Sequence, residues 1–146
     1  RPPRIEELTL GAFLPLVIGI TGRESLTANT VARVRHVRDA HPARYDAIFD
    51  AMAELTRNGV AALRDANLGE LGQLMNLCQG YLNALQVSSP ELEELIHIAR
   101  EHGALGAKLT GGGGGGSMIA LCPERQDEVV TAMEQAGYRA LAITIG

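Results

Sequence analysis

Six consecutive glycines, residues 111–116, constrain this chain more than any other feature of its sequence. Glycine offers no side chain to bury and loses the most backbone entropy on folding, so packing does not explain a run of six. Such a run is useful where a backbone must approach a ligand closely, or where several N–H groups must converge on an anion. A flexible linker is the alternative. The short spacing between the two apolar segments that flank the run favours a loop between paired strands.

The composition describes a soluble domain of ordinary size. The chain has 146 residues, is 46% hydrophobic and carries a formal net charge of −4 at pH 7. Acidity and a small aromatic content (Tyr 3, Phe 2, Trp 0) argue against nucleic-acid binding. The longest apolar run, residues 12–20, is too short to span a bilayer and contains a proline, so we expect no membrane segment. Two cysteines cannot build a disulfide framework, which favours a reducing, cytoplasmic location.

Hydrophobic periodicity predicts an α+β fold in which helices pack on one face of a small, mainly antiparallel sheet. Asn67 and the Ser88-Ser89-Pro90 segment are typical helix starts, and Gly103 is placed to end a helix in the left-handed conformation. The predicted strands lie near residues 16–20, 104–109, 118–121 and 138–145. The predicted helices lie near residues 25–40, 43–66, 67–85, 90–102 and, opened by Pro123, up to residue 136.

The residues around the glycines resemble a known family. Lys108, the only lysine in the chain, begins the segment KLTGGGGGGS, which ends at Ser117. This segment resembles the third conserved motif of the GHMP kinases, usually written KLTGAGGGGC or KxTGxGGGGS. Further segments follow the pattern of the mevalonate kinases within that family, and together they cover most of residues 16–122: LQVSSPEL at 85–92, MNLCQG at 75–80, GALGAK at 103–108, and the residues from Ile18 to Ala32.

Two departures from the family pattern stand out. Gly112 replaces the usual alanine, which removes a methyl group and keeps every backbone donor. Ser25 stands where many eukaryotic members carry a basic residue, so a charge contact with the substrate carboxylate from that position is lost.

The resemblance implies a ferredoxin-like C-terminal domain over residues 1–146, with residues 1–13 as a possible inter-domain segment. The family transfers the γ-phosphoryl group of Mg²⁺-ATP to a small alcohol, a reaction that depends on positioning and charge stabilisation. Its PxxxGLGSSAA loop, catalytic aspartate and lysine belong to an N-terminal domain, and this chain contains no counterpart of them. We therefore expect no catalytic residue in this chain and no phosphoryl transfer by the chain alone.

The resemblance also implies supporting roles at the domain cleft. Thr27 would present its hydroxyl to mevalonate, and Gly112 would border the same pocket; from residue chemistry alone, Thr27 reads as a helix cap. Lys108 is either an anion contact or a solvated charge at a strand edge. The residues expected to support the nucleotide-binding loop of the N-terminal domain are Lys108, Thr110, Gly111, Gly113, Gly114, Gly115, Gly116 and Ser117.

Other functions remain open at this point. Phosphomevalonate kinase and homoserine kinase share the glycine motif, and a non-catalytic ligand-binding or interaction module could use the same scaffold. The four histidines show no metal-ligand spacing, and we expect no metal site. Cys78 lies on an apolar helix stripe and Cys122 at a strand end, so both are interpreted as core residues rather than nucleophiles. The expected partners are mevalonate, ATP with Mg²⁺, the N-terminal domain and a second copy in a homodimer, because an unpartnered interface exposes apolar surface.

Overall fold

The computed structural model describes residues 7–23, 27–111 and 116–146, and of Thr27 and Ala28 it describes the backbone only. Every predicted helix and strand is present. In chain order the elements are β1 (Leu14–Ile20), α1 (Thr27–Ala40), α2 (Pro42–Arg64), α3 (Leu68–Ala84), α4 (Pro90–Glu101), β2 (Gly106–Thr110), β3 (Ser117–Leu121), α5 (Gln126–Gln135) and β4 (Arg139–Ile145).

The four strands form one antiparallel sheet in the order β2-β3-β1-β4. This order, with α4 before β2 and α5 between β3 and β4, is the ferredoxin-like arrangement, into which α1, α2 and α3 add a helical layer. The α+β prediction is confirmed. The glycine run joins β2 to β3, whose last register pair before the loop is Thr110 with Ser117.

One face of the sheet carries the main core. Alternate residues of the two central strands point to this face, and helices α4 and α5 cover it. Its fully buried side chains include Val17 of β1, Met118 of β3, Leu92 and Leu95 of α4, and Met133 of α5. The helix stripes therefore bury apolar surface against the strands, as the periodicity predicts.

The opposite face of the sheet is covered only in part. Leu16 of β1 and Leu121 of β3 form a second, smaller cluster with Met75 of α3. Phe13, Leu141 and Ile145 are 70%, 53% and 46% exposed nearby. The prediction of helices on one face thus describes α4 and α5, while α3 runs along the β2 side of the sheet and reaches the second face.

Local signals set most helix ends. Asn67 accepts a hydrogen bond from the N–H of Glu70 at 3.1 Å, and Ser89 accepts one from the N–H of Leu92 at 3.2 Å, so both predicted N-caps are confirmed. Gly103 has φ +103°, which ends α4 as predicted. The start of α5 was predicted wrongly: the helix begins at Gln126 rather than at Pro123, because Glu124 adopts φ +66° and interrupts the turn.

Candidate functional site

The strand that enters the glycine loop has its outer edge closed by side chains. β2 is an edge strand, so its outward N–H groups have no neighbouring strand. Asn76 of α3 accepts a hydrogen bond from the N–H of Ala107 at 3.0 Å through Oδ1. Gln79 of α3 accepts one from the N–H of Leu109 at 2.8 Å through Oε1. Side chains of α3 therefore accept the edge hydrogen bonds of β2 that a neighbouring strand would otherwise accept.

The outward carbonyl groups of β2 are capped as well. The Arg100 guanidinium of α4 donates to the Ala107 carbonyl at 3.2 Å, and its Nε donates to Asn76 Oδ1 at 3.0 Å. Lys108 Nζ donates to the Leu109 carbonyl at 2.7 Å. These hydrogen bonds hold the backbone of β2 in one conformation as far as Leu109, two residues before the glycine run begins.

Helix α3 can approach β2 this closely because glycines face each other across the contact. A Cβ atom on Gly72 would lie 2.4 Å from the Leu105 carbonyl oxygen, and one on Gly106 would lie 2.2 Å from the Gly72 carbonyl oxygen. Gly72, Asn76 and Gln79 have the spacing of one helix face, so the close approach and the two amide contacts belong to the same stripe.

Gln79 is the one buried polar residue within the described part of the chain, with 1% of its surface exposed. Its Nε2 donates to Glu93 Oε2 at 2.9 Å, and the hydroxyl of Ser88 donates to the same oxygen at 2.8 Å. The amide thus satisfies both of its ends while bridging α3, α4 and β2, as burial of a polar group requires.

The end of the loop is held from the other side by the segment that follows β1. The Thr21 hydroxyl donates to the Gly116 carbonyl at 3.0 Å and accepts from the Gly116 N–H at 3.2 Å. The Thr21 N–H donates to the same carbonyl at 2.8 Å, and the Gly116 N–H also approaches the Arg23 carbonyl at 3.2 Å. Gly111 and Gly116 have φ +80° and +86°, a conformation that glycine adopts without strain.

The predicted site residues fall into two groups. Lys108, Thr110, Gly111, Gly116 and Ser117 lie together at the ends of β2 and β3. Gly112, Gly113, Gly114 and Gly115 lie outside the described residues, as does Ser25. Thr27 is the first residue of α1, and its side chain is likewise outside the described part.

Lys108 does not stand free in solvent as a strand-edge charge, and its predicted contact with an anion stays a prediction. The residue is half-buried, and its ammonium group binds the backbone of β2. Its aliphatic chain borders a small cleft of about 160 Å³ between α2 and α3.

Three residues around the loop lie in segments that resemble the family but were assigned no role from the sequence: Thr21, Asn76 and Gln79. Gln79 could have been noticed, because a polar residue among the apolar positions of α3 signals a buried hydrogen-bond partner. Thr21 carries no such signal, since its partner lies 95 residues away in the sequence.

The cysteines and His97 differ in their burial. Cys122 is fully buried at the end of β3, and burial raises the pKa of its thiol to about 11, so the prediction of a core cysteine is confirmed. Cys78 is half-buried. His97 is exposed, and its Nε2 lies 3.0 Å from Glu101 Oε1. Within residues 7–23, 27–111 and 116–146, no three His, Cys, Asp or Glu side chains are grouped to hold a metal ion.

Taken together, the site is a glycine-rich backbone segment fixed at both ends. Gln79 anchors the strand before it, and Thr21 anchors the last glycine. A segment of this kind can present backbone N–H groups to an anionic ligand or to another loop.

Comparison with known proteins defines the class to which this scaffold belongs. The family described as GHMP kinases C terminal matches residues 59–139, which is more than half of the chain. The chain therefore belongs to the GHMP kinase C-terminal family. The matched region contains α3, α4, both strands around the loop and α5.

Its similar relatives are mevalonate kinases. The chain is 43% identical over 129 residues to the mevalonate kinase of Thermococcus sibiricus, covering 85% of this chain and 39% of that protein. It is 44% identical over 129 residues to the Pyrococcus horikoshii mevalonate kinase, covering 85% of this chain and 38% of that one. The crystal structure of L. major mevalonate kinase in complex with R-mevalonate aligns with a TM-score of 0.90 at 29% identity, covering 96% of this chain and 44% of that chain. The chain thus spans about two fifths of the length of these relatives.

Proposed function

We propose that this chain is the C-terminal domain of an ATP-dependent mevalonate kinase, which phosphorylates the hydroxyl of mevalonate to give 5-phosphomevalonate in isoprenoid precursor synthesis. The observation that carries the proposal is the KLTG–glycine motif held at both ends by the fold, in a chain 43% identical to a mevalonate kinase. The two free cysteines and the acidic surface suit a cytoplasmic enzyme.

The proposal divides the work between two domains. An N-terminal domain, in the part of the relatives that this chain does not match, would bind ATP with its Mg²⁺ and supply the catalytic groups. The backbone of Gly111 to Gly116 would line the cleft beside the triphosphate. In the proposal, Mg²⁺ would enter the site as part of the nucleotide.

On the acceptor side, Thr27 would direct its hydroxyl towards mevalonate, and Gly112 would border the same pocket. The position of Thr27 supports this role, because α1 begins there, a few residues beyond the Thr21 contact with the loop. The nucleotide, beside the glycine loop, and the acceptor, beside the start of α1, would then bind next to each other.

Lys108 and its neighbours would act through the strand. The ammonium group donates to the outward carbonyl of Leu109 at 2.7 Å, and this contact would stiffen β2 before the loop. Thr110 and Ser117 would hold the two strand ends together through their register pair. These contacts would orient the loop without touching the reacting atoms.

We also propose that the chain alone self-associates. Its sheet leaves Phe13, Leu141 and Ile145 exposed on the face where α3 packs against Leu16 and Leu121. Apolar patches of this kind mark interaction surfaces. A homodimer in the complete enzyme is the corresponding proposal for the intact protein.

A coupled assay of ADP release tests the division of labour. The purified 146-residue chain, given ATP, Mg²⁺ and mevalonate, should release ADP no faster than a control without mevalonate. Sustained mevalonate-dependent release by this chain would show that it contains a complete catalytic site, and the two-domain proposal would be wrong.

A further inference from the structure

The loop end is held by a hydroxyl group and not by strand pairing alone. The last register pair between β1 and β3 is Ile20 with Ser117. Beyond that pair, the Thr21 hydroxyl both donates to the Gly116 carbonyl at 3.0 Å and accepts from the Gly116 N–H at 3.2 Å. It also accepts from the Arg23 N–H at 3.2 Å. One side chain therefore joins the final glycine to the residues that follow β1, up to Arg23.

The contact at Gly116 matters because a glycine backbone is less restricted in φ and ψ than that of any other residue. A run of glycines samples many backbone conformations, and the direction of its N–H groups depends on what fixes its ends. The entry is fixed by the Gln79 amide on Leu109. At the exit, Gly116 has φ +86° and lies just outside the strand ladder. Its carbonyl and N–H meet the backbone of Thr21 and Arg23, and the Thr21 hydroxyl adds a hydrogen bond to each of these two groups.

We propose that Thr21 is a positioning residue for phosphoryl transfer: its hydroxyl keeps the last glycine of the loop in register with the β1–α1 segment. This inference rests on the proposed kinase function. The last glycine of the loop then keeps a fixed position relative to the end of β1 and to Arg23. A small displacement between donor and acceptor lowers the rate of transfer far more than it lowers stability.

Three substitutions in the complete kinase, in which an N-terminal domain precedes this chain, test the role. Thr21→Val keeps the shape and removes the hydroxyl, whereas Thr21→Ser keeps the hydroxyl. Thr131→Val is the matched control, because Thr131 is exposed on α5 away from the loop. We expect Thr21→Val to lower kcat about 10-fold or more. Thr21→Ser should restore kcat to within about 3-fold of wild type, and Thr131→Val should leave it unchanged.

Stability separates positioning from folding. The melting temperature of Thr21→Val should stay within about 4 °C of wild type. The substitution removes three hydrogen bonds of one hydroxyl that are part-buried or exposed, and the two backbone bonds from Thr21 N–H to the Gly116 carbonyl and from Gly116 N–H to the Arg23 carbonyl remain. The positioning role is overturned if kcat falls only in proportion to the loss of folded protein. It is also overturned if Thr21→Ser lowers kcat as much as Thr21→Val does. Unchanged kcat in Thr21→Val would overturn it as well.

Amide hydrogen exchange gives a readout that does not depend on the substrate. In Thr21→Val the N–H of Gly116 should exchange about 5-fold faster or more, with the N–H groups of β3 unaffected. Unchanged exchange at Gly116 would contradict the anchor itself. If the wild-type enzyme phosphorylates another alcohol but not mevalonate, the proposed substrate is wrong, and the same variants compared on that alcohol still decide the role of Thr21.

Discussion

Replacing Gly72 by alanine tests how α3 holds β2. Alanine in a helix interior normally stabilises a protein by about 1 kcal/mol relative to glycine. At Gly72 the added Cβ would lie 2.4 Å from the Leu105 carbonyl oxygen, 2.6 Å from its carbonyl carbon and 2.7 Å from its Cβ. Two of these atoms are backbone and cannot rotate away, so α3 must move from the strand. Overpacking of this kind costs up to about 3 kcal/mol.

The expected net loss for Gly72→Ala is therefore about 2 kcal/mol in the free energy of unfolding, or about 4–8 °C in melting temperature for a chain of this size. Gly80 lies in the same helix with no atom within 4 Å of an added Cβ. Gly80→Ala is thus the matched control and should raise stability by about 0.5–1 kcal/mol. Urea unfolding followed by circular dichroism measures both variants. If Gly72→Ala is as stable as wild type, the close packing of α3 on β2 does not hold the strand.

Three further predictions concern the network, the thiols and the exposed sheet face. Gln79→Glu places a second carboxylate against Glu93, and the repulsion raises the pKa of the introduced group. In urea unfolding, the free energy of unfolding should fall by about 3 kcal/mol at pH 7 and recover in part towards pH 5, where the introduced group becomes protonated. A loss that does not depend on pH would contradict the contact. At pH 8 a thiol reagent should modify Cys78 before Cys122, because Cys122 is buried and burial raises its pKa to about 11. Equal modification rates of the two cysteines in the folded chain, measured by mass spectrometry, would contradict the burial of Cys122. Leu141→Lys should shift the chain towards monomer in sedimentation, and a wild-type chain that is already monomeric at high concentration would contradict self-association.

The sequence predicted the elements because each one carries its own local signal. Apolar residues at three- and four-residue steps marked α3, and Asn67 and Ser89 marked two helix starts through caps that the structure contains. The start of α5 was missed because a proline is compatible with a first helical turn, and nothing in the sequence indicated that Glu124 would adopt a positive φ.

The position of the glycine loop between two paired strands could be predicted, but the contacts that hold its ends could not. The glycines and their neighbours identified the loop and its family. The anchors depend on which strand becomes an edge and on which helix lies beside it, and both follow from the sheet order. Thr21 and Gly116 are 95 residues apart, and Gln79 reaches Leu109 over 30 residues. Such pairings are a property of the tertiary fold, which local periodicity does not encode.

The roles of Thr27 and Gly112 remain predictions from family resemblance. Their test lies with mevalonate binding: Thr27→Ala in the complete enzyme should raise KM for mevalonate, while KM for ATP stays near its wild-type value. An equal change in both constants would point to a helix-capping role instead.

The central claim is that this chain forms one side of a kinase site that a second domain completes. Its most direct test joins the chain to the N-terminal portion of its own enzyme and measures ADP release with mevalonate, phosphomevalonate and homoserine as acceptors. The account predicts rapid release with mevalonate, little with the other two acceptors, and none from either part alone. Preference for phosphomevalonate or homoserine, or activity of the 146-residue chain by itself, would contradict it.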